Sequence, residues 1–297
     1  MNGSVVQRHA KRLDSQNIGY LFILPSCVIY LLFVLIPIGW TMYLSFTDYN
    51  LRTAGFVAFQ NYAALFGDPL FVQALFNTVC FTLITLVPAI VIGLGLAMLI
   101  KKQFVGRGFF RAAFYLPHIV SMVVASLAWS YLFSETGVLN MMLKFLGIAR
   151  VHWLTSPDTA MICIVIVSLW MDCGHNMILF LAGLQGIPEH LYEAASLDGA
   201  NGMQMFRHIT LPMLASTTFF VFIMSCIASF QVFGQVYILT GGGPDNATTT
   251  LAHQIYLNAF QYYKMGYASA MAVVLLLITL VITAVNYRFG NGQGGDI

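Results

Sequence analysis

One acid stands well inside an apolar stretch of this chain: Asp172, in the run Trp-Met-Asp-Cys-Gly-His-Asn over 170–176. A carboxylate in such surroundings needs a partner, and His175, three residues on, shares its helical face and can pair with it or relay a proton. Ser168, Asp172 and Asn176 recur every four residues, and so do Ser225 and Ser229, with Gln231 and Gln235 beyond them. Hydroxyl, amide and carboxylate groups along such stripes can replace water around a polyhydroxylated solute. Trp129, Tyr131 and Phe230 are available to stack on the apolar faces of its rings. The same groups also suit hydrogen bonding between helices, and Asp172 also suits a purely structural pairing; the residue types leave these readings open.

Covalent chemistry has no such support. No nucleophile–base pair is evident, and none of the five cysteines (Cys27, Cys80, Cys163, Cys173, Cys226) has a Cys or His neighbour at metal-ligand spacing. An odd number of cysteines inside apolar runs reads as small buried hydrophobes, with no metal site. The chain contains no Gly-Lys dipeptide, hence no Gly-x4-Gly-Lys-Ser/Thr loop for nucleotide phosphates. Energy for any work must come from a partner or an ion gradient.

The elements that position these groups follow from composition. Of 297 residues, 13 are Lys or Arg and 11 are Asp or Glu, while 59% are hydrophobic. So few charges cannot wet a globular surface, since soluble domains carry roughly 25% charged residues. The net charge of +2 is too small, and the basic residues too dispersed, for nucleic-acid binding. The chain is read as residing in a lipid bilayer. A helix crosses the hydrocarbon core with about 20 apolar residues, and six runs qualify: 20–46, 72–100, 112–133, 159–184, 213–239 and 267–287. The first is too long for a signal-peptide core and lacks a cleavage site behind it. The fold class is therefore all-α, a polytopic membrane protein of six transmembrane helices spanning 19–288, with tails at 1–18 and 289–297. The glycine-rich end from 290 onward reads as flexible.

Nine of the 13 Lys and Arg fall in the two tails and in the connections after spans two and four. That excess makes those segments, and both termini, cytoplasmic. The external connection 240–266 opens on Gly-Gly-Gly-Pro, read as a flexible turn. A helix from about 249 to 263 follows, its aromatics suited to the interface or to a soluble partner.

The connection between spans four and five, 187–212, is more structured than a linker requires. Pro188 and Glu189 suit a helix start, and Leu191, Ala194, Ala195 and Leu197 form an apolar stripe. Asp198 and Gly199 signal a turn, and a second short helix is expected from about 202 to 210. The product is a helix–turn–helix knob, suited to docking in a groove of another protein or, equally on these residues alone, to lying on the headgroups as an ordinary loop.

The string Glu193-Ala194-Ala195, two residues, Asp198-Gly199-Ala200, eight residues, then Ile209, Leu211 and Pro212 resembles the signature loop of permease subunits of binding-protein-dependent ATP-binding-cassette importers. Further segments are similar to the carbohydrate branch of that family, of maltose and glycerol-3-phosphate type. They are Leu-Ser-Phe-Thr-Asp-Tyr over 44–49, Phe-Gln-Asn-Tyr over 59–62, Asn77 with Thr78, and Thr-Gly-Gly-Gly-Pro over 240–244. The resemblance covers roughly 19–288 and implies the type I importer permease fold in a bacterial inner membrane. It implies a second, non-identical permease subunit, an ATPase dimer that alone holds ATP and magnesium, and an extracytoplasmic solute-binding protein. On this reading the loop 193–212 transmits closure of the ATPase, the chain is no enzyme, and no cofactor is bound by it. The competing expectation is an ion-coupled secondary carrier using Asp172 and His175.

Overall fold

The computed structural model describes residues 15–290, so most of both expected tails lies outside the described residues. Among those residues the chain is helical, with one isolated antiparallel bridge between Thr47 and Phe56. Four helices are long and apolar enough to cross a bilayer: Phe22–Leu44, Pro69–Lys101, Pro157–Gln185 and Met265–Asn286. Two bent pairs complete the set, Arg107–Ile119 with Met122–Leu132 at 97°, and Gly202–Met213 with Ala215–Phe230 at 66°.

These elements match the six predicted runs, with two corrections. The run 112–133 is not one straight helix. Pro117 withdraws an amide from the helical ladder, and Val120 turns to an extended conformation, breaking the span beside Ser121. The run 213–239 also breaks. Its helix ends at Phe230, the stretch 231–233 is irregular, and a separate short helix occupies Gly234–Leu239. That break is held from outside, because the Thr250 hydroxyl donates to the Val232 carbonyl at 2.9 Å.

The fourth span is the hub. Gly93 of the second span lies against the Cβ of Asn176, and Gly174 lies against the Phe114 carbonyl; a methyl on either glycine would collide. Without a hydrophobic force between helices in lipid, such close backbone approach supplies the van der Waals attraction that joins them. The second span, 33 residues long, rises about 50 Å. It therefore outreaches the roughly 30 Å hydrocarbon layer and carries Lys101 to the end of the molecule where the knob sits.

The first span contrasts with all of this. None of its window is buried, and Pro37, Ile38, Thr41 and Met42 face Ala272, Val273 and Leu276 of the sixth span across a groove.

Candidate functional site

A cavity of about 350 Å³ opens where spans two to five converge. Ser168 and Asp172 of the fourth span border it, with Ser229, Gln231 and Gln235 from the broken end of the fifth. Thr85 and Phe81 of the second span and Met122, just past the break in the third, complete much of the wall. Gly234 keeps the corner open, since a side chain there would strike Met122. The hydroxyls of Thr85 and Ser168 are buried without hydrogen-bond partners. Such orphaned groups cost about 1–3 kcal/mol unless something satisfies them.

Asn176 and Ser225 lie elsewhere. Asn176 is 3% exposed, and its amide points to the Ser225 hydroxyl at 3.4 Å, between helices. The four-residue spacing explains the departure: each step overshoots a full turn by about 40°, so Asn176 has rotated off the face held by Ser168. The predicted stripe thus divides into a cavity-lining part (Ser168, Asp172, Ser229) and a packing part (Asn176, Ser225).

The partner of Asp172 also differs from the expected one. His118, in the last turn before the break in the third span, places Nδ1 3.7 Å from Asp172 Oδ1. His175 instead stacks on the His118 ring, with centroids 4.5 Å apart and planes 17° apart. A short Asp side chain reaches a residue across the helix interface more readily than one along its own helix. Among the described residues these groups do not form a metal-ligating set. Trp129 packs on Trp170 and Phe133, and Phe230 is buried, whereas Tyr131 is 65% exposed.

At the Lys101 end stands the knob. A helix runs Glu189–Leu197, beginning just after Pro188. Gly199 takes φ +77. There the Ala200 amide donates to the Ala195 carbonyl at 2.9 Å and the Gly199 amide to Ser196 at 3.1 Å, a Schellman closure that glycine makes without strain. Asn201 then caps the next helix, Gly202–Met205, through a reciprocal pair with Gln204 (2.9 and 2.8 Å). A π-turn, Phe206–Thr210, and the short helix Leu211–Met213 lead to the bend before the fifth span.

Glu193, Ala194, Asp198, Gly199, Leu211 and Pro212 are exposed, while Ala195, Ala200 and Ile209 are half-buried. Leu197, at the tip, is 90% exposed. The base is anchored: Tyr192 bonds Thr210 through their hydroxyls at 2.9 Å, and Lys101 Nζ lies 4.4 Å from the Tyr192 ring centroid. Leu191 and Ile209 pack on a buried cluster containing Ile100, Leu184 and Leu214. Spans two, four and five therefore all grip the knob.

At the opposite end, the Gly-Gly-Gly-Pro connection is not a loose turn. Thr248, Thr249 and Thr250 are fully buried. Asn77 donates to the carbonyls of Asn246 and Thr249 at 3.0 and 2.9 Å, and the Leu251 amide donates to the Thr78 hydroxyl at 2.9 Å. The cluster of threonines and the paired Asn77 and Thr78 were the sequence signal for this plug. The helix beyond it runs Leu251–Tyr256 and continues as a π-turn, Leu257–Gln261. Asn61 serves similarly, donating to the Ser45 and Thr47 carbonyls at 2.8 Å each.

Comparison with known proteins accords with this geometry. Residues 70–292 match the family model described as binding-protein-dependent transport system inner membrane component. The probable ABC transporter permease protein YurN of Bacillus subtilis is 39% identical over 283 residues, 93% of this chain and 97% of the relative. The sulfoquinovosyl glycerol transport system permease protein SmoG of Agrobacterium fabrum is 36% identical over 280 residues, covering 93% and 91%. Among solved structures, a bacterial ABC transporter involved in the import of the acidic polysaccharide alginate superposes with a TM-score of 0.82 at 25% identity. That match covers 92% of this chain and 95% of the other.

Proposed function

Since the chain belongs to the family of binding-protein-dependent transport system inner membrane components, and so is a permease subunit of an ABC importer, we propose that it forms half of a pathway for a sugar or related polyhydroxylated solute. Ser168, Asp172 and Ser229 border the cavity and face the solute, joined by Thr85, Gln231 and Gln235. Relatives named for sulfoquinovosyl glycerol and for alginate support a carbohydrate class. A second, non-identical permease closes the other half, because six spans are few to enclose such a path.

A separate ATPase dimer holds ATP and magnesium and docks on the exposed tip formed by Glu193, Ala194, Asp198 and Gly199. Ala195, Ala200, Ile209, Leu211 and Pro212 shape and anchor that tip. The observation that carries this coupling is the contrast between an exposed tip and a base bonded to three spans. Closure of the ATPase moves a rigid body, and the spans move with it. Biasing a gate from mostly one state to mostly the other takes about 5.5 kcal/mol of differential interaction, which a loose coil would not transmit. An extracytoplasmic solute-binding protein delivers the solute at the Asp68 end. The Lys and Arg distribution supports a knob and termini that face the cytoplasm, in a bacterial inner membrane.

The test is to co-express the chain with its partner genes and measure uptake in membrane vesicles. Uptake that follows ATP and ignores collapse of the proton gradient is the expected result. Uptake that survives ATP depletion overturns the proposal.

A further inference from the structure

A concavity of about 660 Å³ lies away from both the membrane-level cavity and the knob. It sits at the Asp68 end, between the segment after the first span and the segment leading into the sixth, and Asp48, Asn50, Gln254, Asn258, Tyr262 and Lys264 line much of it. Its size lies within the roughly 300–1,000 Å³ typical of small-molecule sites.

The polar groups facing it are only partly engaged. Asn258 is 7% exposed, and its amide nitrogen donates to the Gln254 carbonyl at 2.9 Å. Among the described residues no donor reaches its Oδ1. Gln254, 5% exposed, donates to the Thr249 hydroxyl at 2.9 Å, which fixes its amide plane. Lys264 has no carboxylate within ion-pair distance among the described residues. The Asp68 carboxylate, by contrast, is committed: it accepts from the Tyr267 hydroxyl at 2.6 Å and from the Leu70 amide at 2.9 Å.

Planar amides, a carboxylate, an ammonium group and an aromatic ring around one concavity match the adjacent hydroxyls and apolar ring faces of a saccharide. Two carboxylates against one ammonium disfavour an anionic saccharide, and the ammonium disfavours a bare cation. We propose that this cleft is a second, outer binding station for a neutral oligosaccharide, an inference that rests on the carbohydrate-importer reading above. The two stations share a wall: Thr249 bonds Gln254 of the outer cleft, and Thr250 bonds Val232 of the inner cavity. Solute held outside would thus lie against the same threonine segment that holds Val232 at the edge of the inner cavity.

The experiment uses the complete importer in lipid nanodiscs without its solute-binding protein. Equilibrium binding of tritiated maltotriose, alginate trisaccharide and sulfoquinovosyl glycerol is measured for wild type, Asn258→Leu, Tyr262→Ala and Lys264→Ala. The last two alter exposed side chains and keep the test valid if Asn258→Leu fails to fold. Maltotriose binding weakened at least tenfold in Tyr262→Ala and Lys264→Ala is expected. Three results overturn the proposal: no maltotriose binding by wild type, equal binding by the exposed variants, or, once the solute-binding protein is added back in a second arm, intact maltotriose binding with weakened stimulation of ATP hydrolysis by that protein. The last would make the cleft a protein dock. ATP-driven uptake by the wild type, run in parallel, tests the importer reading separately.

Discussion

Asp172 shows what single residues reveal and conceal. Its isolation among apolar neighbours marked it in the sequence, but its partner did not, because His118 lies 54 positions away and meets it only through the break in the third span. Asp172→Ala is expected to insert and assemble normally while raising the KM for uptake about tenfold, the scale of losing one hydrogen bond to a charged group, roughly 1.5–3 kcal/mol. His118→Ala, which acts by positioning Asp172, should raise KM in the same direction but less, and His175→Ala least. Uptake kinetics at fixed expression check the order. Gly174 was equally silent in sequence, since nothing local demands it; its reason is the Phe114 carbonyl of another helix. Gly174→Ala should overpack that crossing by about 1–3 kcal/mol and lower the Tm of the solubilised protein by several degrees.

At the scale of elements, local chemistry was legible where local chemistry decides. The knob could be read from Pro188, the Asp198-Gly199 turn and the spacing to Pro212, because caps and turns are set by neighbouring residues. Gly199→Asp places a side chain at φ +77 and a charge on the docking tip. It should leave membrane insertion intact and abolish ATP-linked uptake, measured beside ATP hydrolysis by the same vesicles. Breaks in spans three and five were missed because the apolar runs continue through them: Pro117 marks the third locally, whereas the fifth is held by the distant Thr250 contact with Val232. The plug over 240–250 was misjudged for the same reason: glycines suggested freedom, and distant hydrogen bonds removed it.

Burial depresses the His253 pKa below its ordinary 6.5. Above pH 6.5 the imidazole is neutral in plug and in unfolded chain alike, and its burial costs nothing extra. As pH falls below 6.5 the unfolded chain takes up the proton first, so the plug loses stability toward the depressed value. Protection factors over 240–260, with observed exchange divided by its pH-dependent intrinsic rate, should therefore fall at pH 5 relative to pH 7.5, and His253→Gln should flatten the difference.

The whole molecule was the most legible scale in outline. A membrane class follows from 24 charged residues in 297, and the importer family from the loop motif. Assembly leaves its own signature, because the fourth span buries its face among spans two, three and five while the first packs along the sixth with none of its window buried. If uptake depends on partners, the chain expressed alone should insert but transport nothing, and restoring the other genes should restore uptake to vesicles energised with ATP.

That bare first span has a further consequence. The family match begins at residue 70, after it, and the segment behind it is secured independently, by Asn61 on Ser45 and Thr47 and by Gly266 on Tyr49. The leading helix is thus expected to be separable, with the five-helix remainder folding without it. A cut placed just before Ser45, with both fragments made in the same cell, should return a stable remainder whose melting curve overlays that of the intact chain.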